Sequence, residues 1–420
     1  MMRTCAAPTL GVYVSVPFCR SKCTYCNFAS GVYPASEHGR YVERVMGDLR
    51  AARGRAEAMG LSVPERVDSV YFGGGTPVLL SPENFQAIFA SLRDEFALAP
   101  EAEITIECAP GQMADATLEA LVGCGANRFS LGVQSFIDRE CAVSGRLHGR
   151  ADVMSDLRRL RETGLENVNL DLLAGLAGQT LGSWRESLAV LAETGVPHAS
   201  VYMLEIDEDS RLGRELIDGG ARYHAELVPN DDTIASMYEM AVETLGGSGL
   251  AQYEISNFAR DGHASRHNLR YWSREPYLGL GLDAASMLFA AEDDGVNPPP
   301  ALRWTMTADL GEYLEATRDD GPPLSEQSWL SAARQLEESW FLGLRRNGGV
   351  AVDELREGFG AEAIEASLSA ARRLAERGLL AVEASERFVL TPRGRLISND
   401  VFAEFLGASD EAGEADSLRE

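Results

Sequence analysis

Three of the chain's seven cysteines, Cys19, Cys23 and Cys26, share one short stretch at C-x3-C-x2-C spacing, directly after the strand-like run YVSVPF. Thiolates placed this way bind metal or exchange disulfides. Zinc is the plain expectation, but structural zinc takes four ligands in paired knuckles, and no second knuckle follows. A disulfide framework suits neither three bunched cysteines nor an odd total. Three thiolates suit a cubane 4Fe–4S cluster with one iron left open, whereas electron-transfer clusters fill all four positions with cysteine. The open iron would then be the functional feature. Cys5, Cys108, Cys124 and Cys141 are scattered, as buried or inert cysteines usually are.

Other polar residues recur where apolar strands end. YFGGGTP, residues 71–77, carries Gly74, Gly75 and Thr76; consecutive glycines let main-chain N–H groups approach a ligand, or simply make a turn. Glu107 ends EITIE, Gln134 ends LGVQ with Arg146 shortly after it, and Asp171 interrupts NVNLDLL. Each would be costly to bury without a partner.

The elements that must position these residues alternate. Strands are expected at Gly11–Phe18, Val67–Phe72, Glu103–Glu107, Arg128–Val133, Val168–Leu173 and Ala199–Leu204. Helices are expected near Glu37–Met59, Pro82–Glu95, Ala114–Val122, Ala151–Thr163, Leu181–Thr194 and Asp231–Leu245. Six β-α units predict an α/β fold built on an incomplete parallel (β/α)6-type barrel, with a flat doubly wound sheet as the alternative. Barrels place their chemistry at the carboxyl ends of the strands, where the cysteine loop falls. The expected organisation is a partial barrel over 1–250, a flanking segment over 251–320, and a small helical, winged-helix-like domain over 321–407. That last domain should open with a helix over Glu326–Leu344, and its boundary falls in a Pro/Gly-rich connector near Gly321. Residues 408–420 form an acidic tail expected to be disordered.

Composition narrows the partners. The formal net charge is −26, which argues against nucleic acid, because phosphate binding needs clustered cations. Nearly all the cations are arginine, Lys22 being the only lysine. No run of about 18 apolar residues is present to span a bilayer. The first residues lack the apolar core of a signal peptide, so a reducing cytoplasm is expected.

CRSKCTYC resembles the cysteine signature of the radical S-adenosylmethionine (SAM) superfamily. The resemblance implies that the cluster's open iron holds the methionine moiety of SAM. It also implies SAM contacts from Tyr13, Tyr25, Gly74, Gly75, Thr76, Glu107, Gln134, Arg146 and Asp171. YVSVPFC, GGGTP, GVQSF, DLLAGLAGQT and LTPRGRL narrow it to the coproporphyrinogen-dehydrogenase-like branch. Within that branch, YEISNFARDGHASRHNLRYW (253–272) is similar to the heme-binding segment of the heme chaperone HemW family. Phe28 stands where the dehydrogenase has a further cysteine, and little sequence precedes the first strand. This resemblance implies heme binding through His267, Tyr271 and Trp272, with His263 a second imidazole and Arg266 or Arg270 meeting propionates. It implies heme, recipient hemoproteins and an electron donor for the cluster as partners, and allows a homodimer and peripheral membrane contact. Oxygen-independent coproporphyrinogen III dehydrogenase is the alternative function. The chain departs from the family pattern at Ser15, Ala109 and Ala285, where the first, third and later strands commonly carry His, Asn and His.

Overall fold

The computed structural model describes residues 8–291, 298–316 and 323–407. Cys5, the boundary near Gly321 and the acidic tail lie outside them. Six strands follow the expected places: β1 (Leu10–Val16), β2 (Arg66–Gly74), β3 (Ala97–Cys108), β4 (Arg128–Gln134), β5 (Val168–Ala174) and β6 (His198–Met203). Six more extend the same sheet: β7 (Ala251–Gln252), β8 (Asn257–Ala259), β9 (Tyr277–Leu280), β10 (Ala285–Phe289), β11 (Ala301–Met306) and β12 (Leu324–Leu330).

The strand order is β12-β11-β10-β9-β1-β2-β3-β4-β5-β6-β8-β7. From β9 through β6 every pair is parallel, while β8 pairs antiparallel with β6 and β10 with β9. β1 to β6 lie side by side in chain order without a reversal. Right-handed crossovers then place all the connecting helices on one face. A doubly wound sheet needs a reversal in strand order and is ruled out. The sheet ends in antiparallel strands on both sides, so the barrel is incomplete.

Alternation along each strand separates core from site. In β4 the residues Phe129, Leu131 and Val133 are fully buried against the helical layer, while Arg128, Ser130, Gly132 and Gln134 line the interior cavity. The outer layer includes helices Ser36–Ala58, Pro82–Glu95, Asp115–Gly123, Arg150–Glu162, Leu181–Thr194 and Asp231–Gly247. Ser81 caps the second of these, accepting from the Asn84 N–H with Pro82 at the first helical position.

One stretch differs from its expectation. Residues 324–330 form a strand, not the start of a helix, because LSEQSWL pairs antiparallel with β11 as the sheet's edge. Ser331 then caps helix Ala332–Arg345. After it come β13 (Val350–Ala351), helices Val352–Phe359 and Glu365–Glu376, and the hairpin β14 (Leu380–Glu383) and β15 (Arg387–Leu390), in sheet order β13-β15-β14. Helix, strand, two helices and a hairpin is a winged-helix-like order. Its own core holds Leu336, Trp340, Leu368, Leu374, Phe388 and Phe405, with Trp340 and Phe405 stacked 4.8 Å apart.

Candidate functional site

A cavity of about 770 Å³ opens at the carboxyl ends of β1–β6 and runs into the barrel interior. Its wall includes Cys19, Cys23, Cys26, Tyr25, Gly74, Gly75, Thr76, Glu107, Gln134, Arg146 and Asp171. The fold thus gathers onto one wall residues as far apart in sequence as Cys19 and Asp171. Tyr13 is not part of that wall; it packs beside Tyr71, ring centroids 6.0 Å apart.

The cysteine loop is held by its main chain, not by its thiols. Cys19 N–H donates to Gly31 O (2.9 Å), Gly31 N–H to Pro17 O (2.9 Å) and Thr24 N–H to Ser144 O (3.0 Å). All three cysteines are free and half-buried. Thr76 Oγ1 lies 3.9 Å from Cys19 Sγ, and Ser30 Oγ lies 4.0 Å from Cys26 Sγ. Burial pushes the Cys19 thiol up, so metal binding must displace its proton. Among the described residues no three His, Cys, Asp or Glu side chains converge on a single-ion position. Thiols spread along one cavity wall fit a cluster in which each cysteine holds a different iron.

The glycine turn differs from its expected use. Gly75 N–H donates to Val16 O (2.9 Å) and Thr76 N–H to Phe18 O (2.8 Å), so these amides serve the cysteine loop and not a ligand. A Cβ on Gly75 would lie 2.7 Å from Val16 O, and Gly74 has φ +95°, so both positions require glycine. A ligand ammonium needs acceptors, which carbonyl oxygens and the Thr76 hydroxyl provide.

Around the rim, Tyr71 donates to Glu107 Oε1 (2.7 Å). Burial, reinforced by Asp171, raises the Glu107 carboxyl to about 7. Asp171 accepts from Ser130 (3.1 Å) and Asn169 (2.7 Å), while burial lifts its pKa. Arg146 Nε donates to Tyr25 Oη (3.2 Å), and Gly132 leaves space beneath the guanidinium that a Cβ would narrow to 3.1 Å. Gln134 has φ +66°, next to a register shift between β4 and β5, a strained backbone of the kind found at binding sites.

HNLRYW lies in the short helix Arg266–Trp272, at the amino ends of β1–β3. Glu103 accepts from the N–H groups of Arg266 and His267, both 3.1 Å. His267 is 1% exposed; its Nδ1 is 3.0 Å from Ser69 Oγ and its Nε2 2.8 Å from Tyr271 Oη. Burial, with Arg270 nearby, lowers its pKa to about 3, so the imidazole is neutral. Arg270 is occupied by Asp68, Thr9 O and Pro276 O, and Arg266 by Glu101 O. Trp272 sits under the Arg345 guanidinium, 4.3 Å from the ring centroid, and His263 contacts Asn167 at 3.4 Å. The helix therefore knits the barrel floor together. Arg270 is committed within the protein, whereas Arg266 is exposed and its side chain makes one bond, to Glu101 O.

Several wall residues escaped sequence reasoning: Arg128, Asn169, Ser200, Tyr202, Asn268, Arg345 and the segment 396–400. The alternation R-F-S-L-G-V-Q marks Arg128 and Ser130 as inward. Nothing local marks Arg345 or 396–400, which reach the cavity only through docking of the C-terminal region.

Residues 13–191 match the Radical SAM superfamily and 330–397 the HemN C-terminal domain, which fits a three-cysteine loop on a partial barrel. The chain is 32% identical to "Heme chaperone HemW" of Bacillus subtilis, over 94% of this chain and 98% of that one. It is 33% identical to "Heme chaperone HemW" of Mycobacterium tuberculosis, over 94% and 95%. It is 31% identical to the mouse "Radical S-adenosyl methionine domain-containing protein 1, mitochondrial", over 82% and 75%. The solved structure of Escherichia coli coproporphyrinogen III oxidase (HemN) shares the fold, with TM-score 0.79 and 21% identity over 95% of this chain and 90% of that one. The chain belongs to the HemW family of radical SAM proteins. No helix among the described residues is long and apolar enough to cross a membrane.

Proposed function

We propose that the protein binds heme and passes it to recipient hemoproteins. In this reading Cys19, Cys23 and Cys26 hold a 4Fe–4S cluster, and the strand-end residues from Gly74 to Asp171 hold SAM. Such a cluster, once loaded and reduced by an external donor, supplies an open iron for the methionine moiety and an electron for sulfonium cleavage. The chain's own residues orient and exclude. Thr76 offers an acceptor to the amino group, Glu107 and Asp171 accept from hydroxyls, and Arg146 with Tyr25 closes the wall beside the cysteines.

The observation that carries the heme assignment is where HNLRYW sits. Asn268 is part of the cavity wall, and His267 stacks behind Tyr71, another wall residue. A neutral imidazole with Nδ1 held by the Ser69 hydroxyl is the form that ligates iron. Ligation requires the Tyr271 hydroxyl to leave Nε2. Coproporphyrinogen dehydrogenase activity is the second reading, favoured by a cavity large enough for a tetrapyrrole beside the rim acids.

Anaerobic heme titration of the reconstituted protein and of His267→Ala tests the proposal. Saturable binding that weakens sharply in the variant supports it. Absence of specific binding in the wild type sinks it, and product formation from coproporphyrinogen III would put the second reading in its place.

A further inference from the structure

Arg128 opens β4 on the inner face of the barrel and is 2% exposed, yet it forms part of the cavity wall. Among the described residues its guanidinium has no hydrogen-bond or ion-pair partner, and its Nε is buried and unsatisfied. Directly across in register on β3 stands Thr105, fully buried, whose hydroxyl is likewise unpartnered. Two orphaned polar groups therefore sit side by side inside the barrel. The neighbouring arginines are engaged: Arg146 with Tyr25, Arg266 with Glu101 O, Arg270 with Asp68 and Arg345 with Glu254.

A guanidinium differs from a lysine in presenting a fixed fork of donors. Asp171 feels the Arg128 charge from a distance, but no acceptor among the described residues is within hydrogen-bond reach of that fork. A carboxylate is its natural partner, forming two parallel hydrogen bonds. A phosphate dianion would crowd Glu107 and Asp171, which line the same cavity. Tyr71, Leu173, Met203, Leu204 and Ile255 add apolar surface to the wall, suiting a ligand with an acidic arm on a flat apolar body.

We propose that Arg128, with Thr105 beside it, is a carboxylate subsite inside the barrel, and that it receives a propionate of the bound tetrapyrrole. The subsite lies deeper in the barrel than the strand-end positions assigned to SAM. Six residues of strand separate Arg128 from Gln134, about 20 Å at the usual rise, and two separate Thr105 from Glu107, about 7 Å. It takes the place of Arg270, which Asp68 already holds, as the buried propionate partner, and the choice of ligand rests on the heme reading above.

The test uses the full chain, with heme, heme dimethyl ester and SAM as separate probes on wild type, Arg128→Gln and Arg128→Lys. Loss of a charge-assisted pair lowers heme affinity roughly 10- to 100-fold in Arg128→Gln. The ester should bind wild type weakly and be indifferent to the substitution, and SAM binding should stay unchanged. The melting temperature of Arg128→Gln should equal or exceed that of wild type; if the variant does not fold, Arg128→Lys, which keeps the charge but loses the planar fork, carries the comparison. Equal heme affinity in wild type and the folded variant overturns the proposal, as does an equal loss for the ester. Loss of SAM binding with heme binding intact assigns the carboxylate to the cofactor and overturns the propionate assignment. If wild type binds no heme, the chaperone reading fails by itself. The subsite is then judged with coproporphyrin III: binding lost in Arg128→Gln sustains it, and no binding overturns it.

Discussion

The imidazole of His267 stacks on the ring of Tyr71, centroids 5.3 Å apart and planes 28° apart, while the Tyr71 hydroxyl donates to Glu107. One tyrosine thus joins the HNLRYW helix at the barrel floor to Glu107 at the rim. The two regions are far apart in sequence, and Tyr13, 6.4 Å from the His267 ring, packs beside the same tyrosine.

Replacing Tyr71 in two ways should separate its roles. Tyr71→Phe keeps the stack and loses the bond to Glu107, so SAM binding should weaken while heme binding holds. Tyr71→Ala removes both and should weaken both, with aromatic truncation costing about 3–5 kcal/mol of stability. Calorimetric titration of each ligand checks this. Equal effects of Tyr71→Phe on both ligands would dissociate the stack from the heme site.

If Glu107 holds SAM as proposed, binding depends on pH. Its carboxyl is raised from 4.5 to about 7, so below neutrality it holds a proton and loses acceptor capacity. SAM affinity should rise as pH increases through 7, and Glu107→Gln should bind weakly with a flat profile. Stability of the unloaded protein runs the other way. A carboxyl that binds its proton more tightly in the folded state stabilises below about pH 4.5, and that contribution disappears as pH rises to about 7. The effect is at most about 3.5 kcal/mol, since the rise from 4.5 to about 7 carries about 1.4 kcal/mol for each tenfold change in proton affinity. Glu107→Gln should therefore melt higher than wild type at pH 8; a lower melting temperature would contradict the assigned burial effect.

Arg345 joins helix Ala332–Arg345 to the barrel. Its Nε donates to Glu254 Oε2 at 3.0 Å, Glu254 is fully buried, and the guanidinium covers Trp272. Arg345→Ala leaves a buried carboxylate without its counter-charge and should cost about 3 kcal/mol. Chemical denaturation measures this, and a change under 0.5 kcal/mol would mean that Asn257 and the Ser256 N–H suffice to hold Glu254.

The cysteines should divide cleanly by role. Cys23→Ala is expected to abolish iron and sulfide uptake on anaerobic reconstitution, yet change the metal-free melting temperature little, since main-chain bonds anchor the loop. Cys108→Ala, at a buried site with a raised thiol pKa, should load iron normally. Iron retained in Cys23→Ala would exclude that thiol as a ligand.

The sequence by itself determined the partial barrel and the rim. Apolar strands recur with the right spacing, and their terminal polar residues are local signals that the β-α rhythm brings to one end. It also marked the three-cysteine loop, because C-x3-C-x2-C is a short contiguous pattern. What tertiary structure decided is which polar groups already have partners. Gly75 and Thr76 amides are satisfied by the cysteine loop, Arg270 by Asp68 and His267 by Ser69 and Tyr271, whereas Arg128 is buried with none. Hydrogen-bond partners come from strands and helices up to about 260 residues apart, as Arg270 and Thr9 show. A sequence lists donors and acceptors; only packing assigns them to each other. Residues 324–330 make the same point for secondary structure, since the free edge of β11 drew the start of an expected helix into the last strand of the sheet, leaving the helix to begin at Ala332.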